Sequence, residues 1–214
     1  YLIIAGFLVI ATRSMSGTIA TVIVIALSAA AAMGFGSWLS IPVSPPVSGA
    51  PVIILTVAVA DCVHLLITAL VARGNGAEKK QAIIESLSIN AQPVFLTSVT
   101  TAIGLFSLNF SDAPPYRDLG TLSGFGALFA WVLSMSLFPA LLTLMPMGAS
   151  KSVNLQSRIM GRFADWVILR RRPLLLIMLG VALTSTALLP RFTFNDRFVE
   201  YFDERMDFRV ASDW

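Results

Sequence analysis

The sequence predicts an all-α integral membrane fold, a polytopic helical bundle followed by the start of a water-compatible domain. Three observations lead there. Of 214 residues, 56% are hydrophobic and only 13% charged, where soluble domains carry roughly 25% charged residues. Mean hydropathy is +0.80, and apolar runs long enough to cross a hydrocarbon core of about 30 Å recur along the chain. The last stretch, 191–214, breaks that pattern with six acids and four arginines. A net charge of +3 is too small to imply nucleic acid as a partner. Cys62 is the single cysteine, so no internal disulfide forms.

The elements follow in order. Tyr1 to Thr12 reads as the back half of a span, and Arg13 to Gly17 as a polar turn. Thr18 to Leu39 is a full span, with small residues from Ala29 to Gly36 that allow close helix contact and Trp38 at an interfacial position. Ser40 to Gly49 holds three prolines and no charge, a tight or re-entrant connection. Pro51 then falls in the first turn of the next span, Ala50 to Ala72, where its missing N–H is harmless. Arg73 to Gly76 is a helix stop and turn.

Residues 77–90 place Glu78, Lys79, Lys80 and Glu85 beside Ala82, Ile83, Leu87 and Ile89. That pattern predicts an amphipathic helix on the membrane surface. Gln92 and Pro93 introduce a span from Val94 to Phe110, threaded with hydroxyls. Ser111 to Asp118 reads as a charged turn. Leu119 to Leu144 is the next span, with Gly120 and Gly124 as a small-xxx-small packing signal and Pro139 as a kink.

Residues 145–172 are polar and basic, with a second surface helix expected over Leu155 to Leu169. Pro173 opens a last span, 173–190. The organisation is therefore a bundle over 1–144, a linker over 145–172, a span over 173–190 and the start of a further domain over 191–214. Tyr1 opens inside an apolar run and Val210 to Trp214 ends without a closing motif, so we expect a segment of a longer protein.

Loop charge sets the expected orientation. Ten basic residues, among them Arg13, Arg73, Lys79, Lys80 and Arg170 to Arg172, fall on one side, and Arg117, Arg191, Arg197, Arg205 and Arg209 on the other. The ten-residue side is expected to be cytoplasmic, with the C-terminal piece outside. Arg170 to Arg172 serve this as a topology anchor at anionic headgroups.

Asp61 lies midway along the Ala50–Ala72 span. An ionisable side chain at that depth is unfavourable by about 3 kcal/mol or more, and such residues usually mark an ion or substrate pathway. His64 is three residues on and shares its helix face. Asp61 is the candidate ion-coupling residue, and His64, with an imidazole suited to passing protons, its candidate assistant. Thr97, Thr100 and Thr101 are candidate polar partners. In the plainer alternative Asp61 is interhelical glue held by the hydroxyls of Thr97, Ser98, Thr100 and Thr101, and His64 a neutral hydrogen-bonded side chain. Threonines alone would make such glue at lower energy, which favours the ionic role. Cys62 points about 100° away from Asp61 on a helix, so no metal site is expected, and no cofactor. No Gly-x-Ser-x-Gly or His-Glu-x-x-His pattern is present, so no catalytic residues are assigned.

Five stretches in this order carry a resemblance: Ala60 to Leu65, Thr97 to Gly104, Ser111 to Gly120, Leu137 to Leu142 and Asp196 to Asp203. The chain resembles the resistance–nodulation–division superfamily, in the branch of exporters similar to the mycobacterial membrane protein large transporters, hopanoid transporters and sterol-sensing proteins. The resemblance implies a two-half transporter bundle, of which this chain holds the end of span two, spans three to seven and the start of an extracytoplasmic α/β domain. It implies proton-coupled export of a hydrophobic or lipid-like substrate across a bacterial inner membrane, with membrane lipids and the second half of the same transporter as partners and the oligomeric state open. The competing expectation is a lipid- or sterol-sensing protein with the same bundle and no ion coupling.

Overall fold

A computed structural model describes residues 2–12, 14–146 and 152–189. Its regular elements are all helices: α1 (Leu2–Thr12), α2 (Met15–Trp38), α3 (Ala50–Gly74), α4 (Lys79–Phe106), α5 (Pro114–Leu144), α6 (Ser152–Leu169) and α7 (Arg171–Leu188). Five helical segments are long and apolar enough to cross a membrane, those built on α2, α3, α4, α5 and α7. The chain is a multi-pass membrane protein. It divides into two units at residues 159 and 160. The expected extracytoplasmic domain, 191–214, lies outside the described residues.

In the first unit α3 and α5 form the shared centre, with α2 and α4 each packed on both. Lipid is as apolar as leucine, so these helices are held by close packing rather than by escape from water. Small residues supply the closeness. A Cβ on Gly126 of α5 would collide with the Ile54 side chain of α3 and press on Ala32 of α2. A Cβ on Gly120 would lie 2.7 Å from the Leu105 carbonyl oxygen, and one on Gly124 would meet the Phe106 ring. The expected Gly120/Gly124 signal thus marks the crossing of α5 with the end of α4. Toward the other end, Val24, Cys62, Leu65, Leu66 and Phe138 close the interior.

The Pro-rich connection is tight. Ser40, just past α2, has φ +56, a left-handed conformation usually given to glycine. It closes a Schellman motif, with the Ile41 N–H bonded to the Gly36 carbonyl and the Ser40 N–H to the Ser37 carbonyl, both at 3.0 Å. Ile41 then packs on the cluster of Ala32, Val47, Ala50, Ile54 and Leu122. A short 3₁₀ turn, Val47–Gly49, leads directly into α3.

Three boundaries differ from expectation. The surface helix over 77–90 and the following span are one helix of 28 residues, α4, about 42 Å long. Pro93 lies inside it and removes one N–H without ending it, because neighbouring helices hold the segment from both sides. The charged turn before α5 is shorter than expected. Pro114 and Pro115 occupy the first helical positions, where proline is preorganised, so Arg117 and Asp118 are already helical. The last helix begins at Arg171, two residues before Pro173.

Lys79, at the start of α4, donates from Nζ to the carbonyls of Thr143 (2.7 Å) and Met145 (2.6 Å). It caps the end of α5 and fixes the α3–α4 turn and the end of α5 on the same side of the bundle. In the second unit Phe163 and Trp166 stack with ring centroids 6.0 Å apart. The Arg170 N–H continues from α6 by bonding the Trp166 carbonyl at 3.0 Å.

Candidate functional site

Asp61 sits near the middle of α3 and is 3% exposed. An i, i+3, i+4 rule places Ala58, Leu65 and Ala69 inside with it, and all three are buried. Small neighbours leave room for hydroxyls from the flanking helices. Ser98 of α4 donates to Asp61 Oδ2 at 3.2 Å, and Ser134 of α5 lies 3.4 Å from the same oxygen. Both separations exceed the usual O–H···O range of about 2.5–3.0 Å. Ser134 has a single proton and a nearer acceptor, the Trp131 carbonyl at 2.9 Å. A protonated Asp61 could instead donate to the Ser134 oxygen, leaving Ser134 bonded to its own helix. An ionised Asp61 competes for that serine proton. The carboxyl group therefore has two possible arrangements against α5, separated by one hydroxyl rotation.

A cleft of about 270 Å³ opens at this point, lined by Thr56, Val57, Ala60, Asp61, His64, Thr97, Ser98 and Thr101. Asp61 is buried at its wall, whereas His64 is exposed. Among the described residues no hydrogen bond joins the two; they meet through the cleft. Thr97 and Thr101 also line it. Thr100 does not, and its hydroxyl bonds the Leu96 and Thr97 carbonyls of its own helix at 2.8 and 3.1 Å. Thr97 likewise bonds the Pro93 carbonyl at 2.8 Å. Cys62 turns into the opposite, apolar cluster with Val24 and Leu66.

Of the two serines that touch Asp61, Ser98 is expected from the sequence only as one of four hydroxyls that could satisfy a structural carboxylate, and Ser134 is not expected at all. Ser98 lies inside the hydroxyl run 97–101, but spacing within one helix says which threonines share a face and not which face turns toward α3. Ser134 carries a weaker signal, a serine within the apolar span of α5.

Residues 10–157 match the family model described as the sterol-sensing domain of SREBP cleavage-activation. The match covers well over half of the chain. This chain belongs to the sterol-sensing family. The matched segment contains α2 to α5, and with them Asp61, Ser98, Ser134 and the whole cleft. No curated protein matches the chain. Within the sterol-sensing family, then, this member holds a buried acid beside a polar cleft at the centre of its bundle.

Proposed function

We propose that the chain is part of an ion-coupled exporter of the resistance–nodulation–division superfamily, from the mycobacterial membrane protein large-like branch, moving a hydrophobic or lipid-like substrate. Asp61 is the coupling residue. It binds a proton from the cleft, exchanges its hydrogen bonds with Ser134 and Ser98, and so alters how α5 and α4 seat against α3. His64 passes protons between the cleft and Asp61. The bundle sits in a bacterial inner membrane with the Arg73–Lys79 turn on the cytoplasmic side. The second half of the same transporter covers the exposed, polar side of the cleft.

One observation carries this reading: a buried mid-span carboxyl group whose hydroxyl contacts are both long. An aspartate kept only as glue gains most from short, fully made bonds, because an unsatisfied polar group in hydrocarbon is costly. Long contacts next to a cleft suit a group that changes partners.

The family match supports a second reading, a lipid or sterol sensor without ion coupling. Asp61→Asn in the full-length protein separates the two. Loss of proton-driven export with lipid binding retained supports coupling; export independent of Asp61 leaves sensing as the better account.

A further inference from the structure

Polar groups are not spread evenly along the α3–α4 seam. One turn from His64 toward the Arg73–Lys79 turn stands Thr68. Its hydroxyl donates to the His64 carbonyl at 3.0 Å and accepts from Asn90 Nδ2 at 2.9 Å. Asn90 is buried, and its amide also donates to the Ser86 carbonyl at 2.8 Å. The Ser86 hydroxyl crosses the seam to the Leu65 carbonyl at 2.6 Å. Between Asn90 and Thr97 the side chain at Val94 is apolar, but Pro93 lacks the N–H that the Ile89 carbonyl would bond. A backbone acceptor is thereby left in this turn, on the exposed side of α4 with the Gln92 side chain. In the other direction, the positions one turn beyond Thr56, Val57 and Thr101 are Val52, Ile53 and Leu105. Away from the Arg73–Lys79 turn the seam turns apolar one turn beyond Thr56 and Thr101, whereas toward that turn polar groups continue through His64, Thr68, Asn90 and Ser86.

One crossing pair is enough to clamp two helices. Polar groups repeated at about the helical pitch of 5.4 Å do more, since each passing water needs two to four partners, roughly the number that a hydrated path must offer. We propose that water and the coupling ion reach Asp61 along the α3–α4 seam from the face of the Arg73–Lys79 turn, passing Asn90, Thr68 and His64; this rests on the reading of Asp61 as the coupling residue. Asn90 acts as a positioning residue. Its amide holds the Thr68 hydroxyl turned toward the His64 carbonyl.

Single-cysteine accessibility tests this without a transport assay. The full-length protein, with Cys62→Ala and any other cysteine removed, is placed in sealed vesicles. A cationic, membrane-impermeant methanethiosulfonate reagent is applied to either face. Asn75→Cys marks the face of the Arg73–Lys79 turn and Val43→Cys the opposite face. Thr68→Cys and His64→Cys are expected to react only from the Asn75 face, Thr68→Cys faster. Adding Asn90→Leu to His64→Cys is expected to slow its reaction about tenfold, a barrier increase of about 1.4 kcal/mol. Asn90→Thr, which keeps a donor, is expected to slow it less. Reaction of His64→Cys from the Val43 face, or from neither face, overturns the proposed route, and an unchanged rate in Asn90→Leu overturns the role of Asn90. Face dependence is read with Asn90 intact, so a poorly folded Asn90→Leu leaves the route decided. Transport by Asp61→Asn is scored separately, so the route and the coupling role fail independently.

Discussion

Ser98 of α4 donates to Asp61 of α3 across 3.2 Å, joining residues 37 positions apart in sequence. The neighbouring threonines Thr97 and Thr100 spend their hydroxyls on carbonyls of their own helix. Ser98→Ala is therefore expected to destabilise the bundle by about 1 kcal/mol, the scale of interhelical hydrogen bonds in membranes. Thr97→Ala and Thr100→Ala should be close to neutral. Equilibrium unfolding of the three variants in mixed micelles checks the order; a larger loss at Thr100 than at Ser98 would contradict it.

Gly126 packs against Ile54 and Ala32 where α2, α3 and α5 meet. Gly126→Ala inserts a methyl group into filled space and is expected to destabilise by about 1–3 kcal/mol. Ile54→Ala removes the atoms in its way. A double-mutant cycle should show strong coupling between the two, with the double variant more stable than the summed losses imply.

Ser40 adopts φ +56 at the end of α2, a conformation that disfavours a side chain by about 1–2 kcal/mol. Ser40→Gly relieves that strain and enlarges the freedom of the unfolded chain, so a net gain of about 1 kcal/mol or less is expected. The thermal midpoint in detergent should rise. A fall would mean that the Ser40 side chain contributes something the Schellman geometry does not explain.

Lys79 Nζ caps the Thr143 and Met145 carbonyls. Lys79→Met leaves the end of α5 without these two charge-assisted bonds, a loss of about 1–3 kcal/mol. Hydrogen exchange should accelerate over the last turn of α5 and little elsewhere. Lys79→Arg, which keeps donors and charge, should retain most of the protection.

The sequence is most readable where one physical rule acts alone. An acid within the apolar run Ala50–Ala72 marks both a span and a site, and Gly120 with Gly124 marks a close crossing. Reading fails where two helices must be rotated against each other. Ser98 and Thr97 are neighbours with similar chemistry, and only the seating of α4 on α3 decides that Ser98 meets Asp61. Ser134 depends in the same way on the seating of α5. The charged pattern over 77–90 and Pro93 together predict a break, yet packing on α3 and α5 carries α4 straight through. The charges on its first turns then belong to the end of a long span.

Asp61 is the point where α3, α4 and α5 meet through polar side chains. Its decisive measurement is proton-driven export by the full-length protein in sealed vesicles with an imposed pH gradient, comparing the native protein with Asp61→Asn at matched membrane abundance. Asp61→Asn preserves shape and can still accept from Ser98, but it cannot bind and release a proton. Coupling through Asp61 requires gradient-dependent export to fall to the level of vesicles without the protein. Export by Asp61→Asn that still follows the gradient at the native rate would contradict it.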